Sequence, residues 1–312
     1  MDPECLIESV PNFSEGRREA VIDEIVAGFA GAHPDVLVLD RSSDPDHDRS
    51  VLTLAGPPAA LVEAAVAGAS ACVRLIDLTR QHGAHPRMGA LDVLPFVPLG
   101  RASQAECVEV ALAAGRRLVA EAGIPVYLYG AAAVRPERAA LPAVRGRGFE
   151  ALRAAAPADP ARAPDLGGPA LHPTAGATAV GVRSFLVAYN VDLASDDLDL
   201  ARRIAASVRE RDGGLPAVRA LGIPLERRGQ VQVSMNLLDP GVTSPATAFA
   251  AVAGLAERAG VQVAGSEIVG LVPEAALAGV DPATLRLHGF SRGQLLEERL
   301  AQALAARAGG AR

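Results

Sequence analysis

The sequence has no lysine and no tryptophan, and only three cysteines in 312 residues. Each shortage excludes something. Cys5, Cys72 and Cys107 are odd in number and unrelated in spacing, so they read as small core residues of a reducing compartment, not as a disulfide framework or a metal cage. Aromatics are 3% of the chain, which leaves the core to Ala, Val and Leu. There is no excess of positive charge. Thirty basic residues against 36 acidic ones give a net charge of −6, which argues against a nucleic-acid-binding face. No run of about 18 apolar residues is free of charge, so no membrane span is expected. The acidic start MDPECLIESVPN lacks the basic-then-apolar pattern of a secretory signal. A cytoplasmic protein is the expectation. All the cations are Arg, whose planar fork grips carboxylates better than an ammonium does.

What is present is an alternation of strand and helix signals. Short strands are expected at Glu4 to Val10, Val36 to Asp40, Ser50 to Ala55, Leu91 to Val97 and Pro125 to Tyr129. Helical spacing covers Arg17 to Ala30, Pro57 to Thr79 and Ser103 to Ala122. The first six elements run β-α-β-β-α-β, the split or ferredoxin-like order. Arg135 to Thr178 dissolves into Pro and Gly and reads as a long loop. The order then returns: a strand from Ser184, a helix from Ser195 with Ser195 as N-cap, strands near 217–225 and 230–238, a helix from Ser244, and one or two strands in 261–272. The expected fold is α+β: two ferredoxin-like βαββαβ sandwich subdomains, 1–180 and 181–312, with a ligand groove between them.

Two stretches carry candidate chemistry. DPDHDRS, Asp44 to Ser50, begins like a calcium loop, but its sixth and twelfth positions are Arg49 and Ala55, so a metal is not expected. It reads either as a solvated turn or as a place where Asp40, His47 and Arg49 face a cleft. In QHGAHPRMGALDVLPFVPL, Gln81 to Leu99, two histidines, an arginine and two glycines crowd in front of a strand. Gly83 and Pro86 make a helix with two metal-ligating histidines improbable. His85 suits proton transfer near neutrality, and Pro86 holds it extended. Arg87 suits a carboxylate clamp.

In order along the chain stand ESVPNFSEGR, HPRMGALDVLPFVPL, PVYLYG, the GAT and FLVAYNV elements, VQVSMNLLD and GSEIVGLVP. Together they closely resemble the glutamate formimidoyltransferase family, which in animals forms the N-terminal half of formimidoyltransferase-cyclodeaminase. The resemblance implies transfer of a formimino group from N-formimino-L-glutamate to N5 of tetrahydrofolate, in histidine degradation, by a stand-alone homodimeric transferase with tetrahydrofolate as co-substrate. It makes His85 the catalytic acid-base residue. By position, Asn12, Asp40 and Arg49 are pocket residues, and Arg87 and Arg183 are candidates to neutralise substrate carboxylates. The folate loop falls on Gly167, Gly168, Pro169, Ala170, Leu171, His172, Pro173, Thr174, Ala175 and Gly176, where Thr174-Ala175 replaces the Ser-Trp of animal members. Alternatives are an enzyme that processes 5-formyltetrahydrofolate on the same scaffold, and a non-catalytic folate-binding protein.

Overall fold

The computed structural model describes residues 6–310. The chain divides into two units after Arg183. The first unit is built on a seven-stranded sheet. Strands β1 (Ile7–Ser9) and β2 (Asn12–Phe13) share one lane between β4 (Arg49–Gly56) and β5 (Leu91–Pro98). Pro11, which has no N–H to give a ladder, sits at the break between them. Strand β3 (Leu37–Asp44) pairs with β4 at one edge, antiparallel. On the far side, β7 (Thr178–Val182) lies parallel between β5 and β6 (Val126–Gly130).

Side chains alternate across this sheet. Ile7, Phe13, Leu52, Leu54, Leu91 and Phe96 point to one face and pack on helices α1 (Glu19–Gly31), α2 (Pro58–Leu75) and α3 (Gln104–Arg117). Ten residues of α2 are buried there. It is the one described helix long and apolar enough to cross a membrane, and its ten buried residues make it a core helix of this sandwich. Ser103 caps α3 through a reciprocal pair with Glu106. Cys72 and Cys107 are buried free thiols, the latter pushed up to about 11 by burial; Cys5 lies outside the described residues. The opposite sheet face holds a smaller cluster at its β6–β7 end, where Tyr127, Tyr129 and Ala179 meet Val144 and Leu152 of α4 (Leu141–Arg145) and α5 (Phe149–Ala155).

Two expectations need correction in this unit. Strand β7 falls in the gap between the expected loop, which ends at Thr178, and the strand expected from Ser184, where no element is expected. It is short, built of small residues and buried on both faces, so it shows no alternation. Its Gly181 leaves room for the Tyr129 ring, which a Cβ would strike at 2.4 Å. The Pro/Gly segment before it is tied down by backbone hydrogen bonds: Leu78 N–H donates to Thr174, Ala90 N–H to Ala175, and Ala177 N–H to Met88.

The second unit runs β8 (Val187–Leu193), α6 (Leu198–Val208), β9 (Val218–Leu225), β10 (Gln230–Leu237), α7 (Pro245–Arg258), β11 (Val263–Val269). Its antiparallel sheet has the order β11-β8-β10-β9, the ferredoxin-like arrangement. Strands β5-β1-β4-β3 of the first sheet repeat that order, with β7 and β6 added beyond β5. The cap of α6 is Asp197, not Ser195: the Asp197 carboxylate accepts the Leu200 N–H at 2.9 Å, and Ser195 instead accepts the Asp197 N–H. A last helix, α8 (Leu296–Gly310), ends the described chain.

Candidate active site

The two motif stretches meet at one end of the first sheet. In VPNFSEGR, alternation sends Phe13 into the core and Asn12 to the face opposite the three large helices. Asn12 Oδ1 there accepts from Arg49 Nη2 at 2.9 Å. Ser14 Oγ donates to the Gly89 carbonyl at 2.8 Å, and Glu15 accepts the N–H groups of Arg17 and Arg18 ahead of α1. Gly16 permits a crossing that any Cβ forbids, since it would lie 2.2 Å from the Asp44 carbonyl oxygen.

The DPDHDRS stretch is a tight turn. Asp44 Oδ1 accepts the N–H groups of Asp46 and His47 at 2.7 and 2.8 Å. Asp48 adopts a left-handed φ of 49° and accepts the Gly16 N–H at 2.9 Å. The turn leads directly into Arg49 at the start of β4. Arg49 Nη1 donates to Asp92 at 2.7 Å, and Arg145, arriving from α4, donates to the same carboxylate oxygen at 2.6 Å. Met88 N–H supplies a third bond to Asp92. Asp92 is fully buried. Burial alone raises a carboxyl pKa, but Arg145 and Arg49 override it and hold Asp92 well below the usual range. Two guanidiniums on one carboxylate leave one positive charge in excess.

His85 stands beside this triad. Its Nδ1 lies 2.8 Å from the Pro86 carbonyl oxygen. A carbonyl only accepts, so Nδ1 carries the proton and Nε2 keeps its lone pair. Burial, then the charges of Arg49 and Arg145 and the neighbouring His47, push the imidazole pKa well below its ordinary value, with Asp92 opposing. The ring is therefore neutral near pH 7, with a bare basic nitrogen. The His47 ring centre is 5.8 Å away, tilted by 34°. Ser14, His47, Asp48, Arg49, Gln81, His85 and Arg87 line a narrow cleft.

Arg87 also lines it, but its guanidinium is engaged. It donates to the side-chain oxygen of Gln81, to the Leu78 and Gln81 carbonyls at 3.0 and 2.9 Å, and to Glu150 at 2.9 Å. A substrate carboxylate reaches it only by displacing the exposed Glu150. The triad of Arg49, Asp92 and Arg145 is the alternative anion site. Arg145 was not legible in the sequence, because nothing local marks an arginine 53 positions beyond Asp92.

The remaining candidates fall elsewhere. Asp40 shares the sheet face of Asn12 and Arg49 but pairs with Thr53, four residues along β4 from Arg49, roughly 13 Å away. Arg183 N–H bonds Phe96, near the opposite end of β5 from Asp92, where Arg183 is close enough to Glu8 to act on its charge. In the 167–176 segment, Leu171, Ala175 and Gly176 are buried, and Leu171 belongs to the smaller core, so the Leu171 and Ala175 side chains face protein. His172 accepts the Ala175 N–H at 2.9 Å and closes a turn. Gly167, Gly168, Pro169, Ala170 and Pro173 are exposed, and Thr174 is half-buried.

Residues 6–183 match the formiminotransferase domain, N-terminal subdomain, and residues 188–287 match the formiminotransferase domain. The chain belongs to the formiminotransferase family. It is 44% identical over 95% of its length to glutamate formimidoyltransferase of Streptococcus pyogenes serotype M1, covering 98% of that protein. It is 42% identical over 96% of its length to the enzyme of the same name from Thermoplasma acidophilum, again covering 98%. Formimidoyltransferase-cyclodeaminase of Sus scrofa is 45% identical, with 87% of this chain and 51% of that protein covered. Among solved structures, a microcompartment protein from Desulfitobacterium hafniense DCB aligns at a TM-score of 0.21 and 13% identity, over 85% of this chain and 93% of its own, too low to indicate a shared fold.

Proposed function

We propose that this chain is a glutamate formimidoyltransferase, moving the formimino group of N-formimino-L-glutamate to N5 of tetrahydrofolate. The observation that carries this is His85, a neutral imidazole with a free Nε2 beside a net-positive arginine–aspartate triad. Family membership and near-full-length similarity to proteins of that name support it.

In this reaction N5 attacks the formimino carbon and must lose its proton. The nitrogen of the departing glutamate must gain one. His85 Nε2 takes the first and returns it as the second, a role that typically contributes about 10²–10⁴ in rate. Arg49 and Arg145 attract the anionic substrates while Asp92 fixes their guanidiniums. Gln81 and Met88 anchor the HPRMG stretch to its surroundings, so the base is held by the sheet rather than by a free loop. Assembly as a homodimer and a place in histidine degradation belong to the same proposal and rest on the family resemblance, and a cytoplasmic location is proposed with them from the composition.

The test follows the carbon. With N-formimino-L-glutamate labelled with ¹³C in the formimino group, the label is expected on tetrahydrofolate, with one glutamate released per label moved. Label that stays on glutamate, or leaves as formamide or formate with no folate product, contradicts the proposal.

A further inference from the structure

The pocket holds a second imidazole to which the transfer just described gives no task. His47 is 8% exposed, and its buried Nε2 has no hydrogen-bond partner. A buried ring nitrogen left unpaired is uncommon and costs stability. Its placement against His85 is built in by contacts to the backbone of its own turn. Ala84 N–H donates to Asp46 at 3.1 Å, and the Gln81 side chain donates to the Asp48 carbonyl at 2.9 Å. Gly83 crosses so closely that a Cβ would meet the His47 carbonyl oxygen at 2.2 Å. The two histidine-bearing loops are thus pinned together.

The reaction supplies a reason. Attack of N5 gives a tetrahedral carbon with three nitrogens: N5, the glutamate nitrogen and the terminal amino nitrogen. Transfer requires the carbon–glutamate bond to break, its electron pair leaving on the protonated glutamate nitrogen. The terminal nitrogen must keep its lone pair free to re-form the C=N bond. If the terminal nitrogen were protonated instead, ammonia would leave and one carbon would join N5 to glutamate as N5–CH=N–glutamate. One imidazole shuttles the proton; nothing in that step alone chooses between the two amino groups.

We propose, on the footing of the transferase function, that His47 Nε2 accepts a hydrogen bond from the terminal amino group of the formimino unit and so selects which nitrogen departs. The spacing suits this. With C–N bonds of about 1.33 Å, the two nitrogens of an amidine lie about 2.3 Å apart. Hydrogen bonds of about 2.9 Å diverging from them reach two rings whose centres are 5.8 Å apart. The same contact separates formimino from formyl donors, because a formyl oxygen offers no hydrogen to an acceptor.

The experiment compares wild type with His47→Ala, His47→Phe and His47→Gln, each given N-formimino-L-glutamate and tetrahydrofolate. Mass spectrometry reads the ratio of the N5–CH=N–glutamate adduct to 5-formiminotetrahydrofolate. Removing the acceptor in His47→Ala and His47→Phe is expected to raise that ratio by about tenfold or more. His47→Gln, whose amide oxygen still accepts, is expected to stay near the wild-type ratio. Phe keeps the ring's volume, so a failure of His47→Ala to fold leaves the comparison intact. Variants that slow turnover with an unchanged ratio would overturn the assignment. Wild type that forms no folate product at all would instead overturn the transferase function, before any variant is compared.

Discussion

At the residue scale, His85 acts as a base only when neutral, and its surroundings favour that form. Protonation at low pH removes the lone pair on Nε2, so activity is lost as pH falls through the folded-state pKa. Because that pKa is lowered, kcat/KM should stay flat through neutrality and fall only well below about 6.5, the ordinary histidine value. A pH–rate profile checks this; an acid limb centred at or above 6.5 would contradict it. Asp92 belongs to the same scale. It is fully buried and is the shared anion of two arginines whose side chains are only 10% and 14% exposed. Asp92→Asn leaves those guanidiniums facing each other with no anion, and should cost about 3–5 kcal/mol in urea denaturation. His85 stands out in the sequence from its own motif, while Asn12 and Arg49 come in by position through the family resemblance; the structure brings Arg49 into contact with Asn12 and lines His85 and Arg49 along one cleft. Arg145 was not legible in the sequence, because its partner comes from a distant segment. Asp40 is suggested by position and Arg183 by charge, but strand register carries them along the sheet, away from His85.

At the scale of elements, the site is a junction of three loops: the turn before α1, the turn between β3 and β4, and the stretch before β5. Glycines set how closely they pack. Gly83→Ala forces its Cβ against the His47 carbonyl and drives the β3–β4 turn away from His85. A misplacement of about 1 Å costs on the order of 10² in rate, so kcat should drop that far while the thermal unfolding midpoint moves little. A variant with full kcat would show that the spacing of the two loops is not used. Most helices and strands were legible from periodicity, since one face of each packs on a core. Strand β7 was hidden, because a small-residue strand buried on both sides has no alternation to read. The Pro/Gly composition before it suggested freedom that its hydrogen bonds to Leu78, Met88 and Ala90 remove.

At the scale of the molecule, an acidic protein of net charge −6 takes anionic substrates. What draws them in is a local field, the excess charge of the Arg49–Asp92–Arg145 triad, set against a repulsive background. Both are screened by salt over about 8–10 Å near physiological ionic strength. The short-range attraction at the pocket mouth should dominate, so raising salt from about 0.05 to 0.5 M should raise KM for N-formimino-L-glutamate severalfold and leave kcat nearly constant. A KM that falls with salt would mean that the overall negative charge controls approach. Composition alone pointed away from nucleic acid but said nothing of this local reversal, which exists only once α4 brings Arg145 to Asp92.

The most direct test of the whole account is glutamate release from N-formimino-L-glutamate, with and without tetrahydrofolate, by wild type and by His85→Ala. Release that requires tetrahydrofolate and falls by about 10²–10⁴ in the variant, with folate still bound, is the predicted result. Release without tetrahydrofolate, or a variant as fast as wild type, would contradict the claim that His85 carries the proton of a formimino transfer.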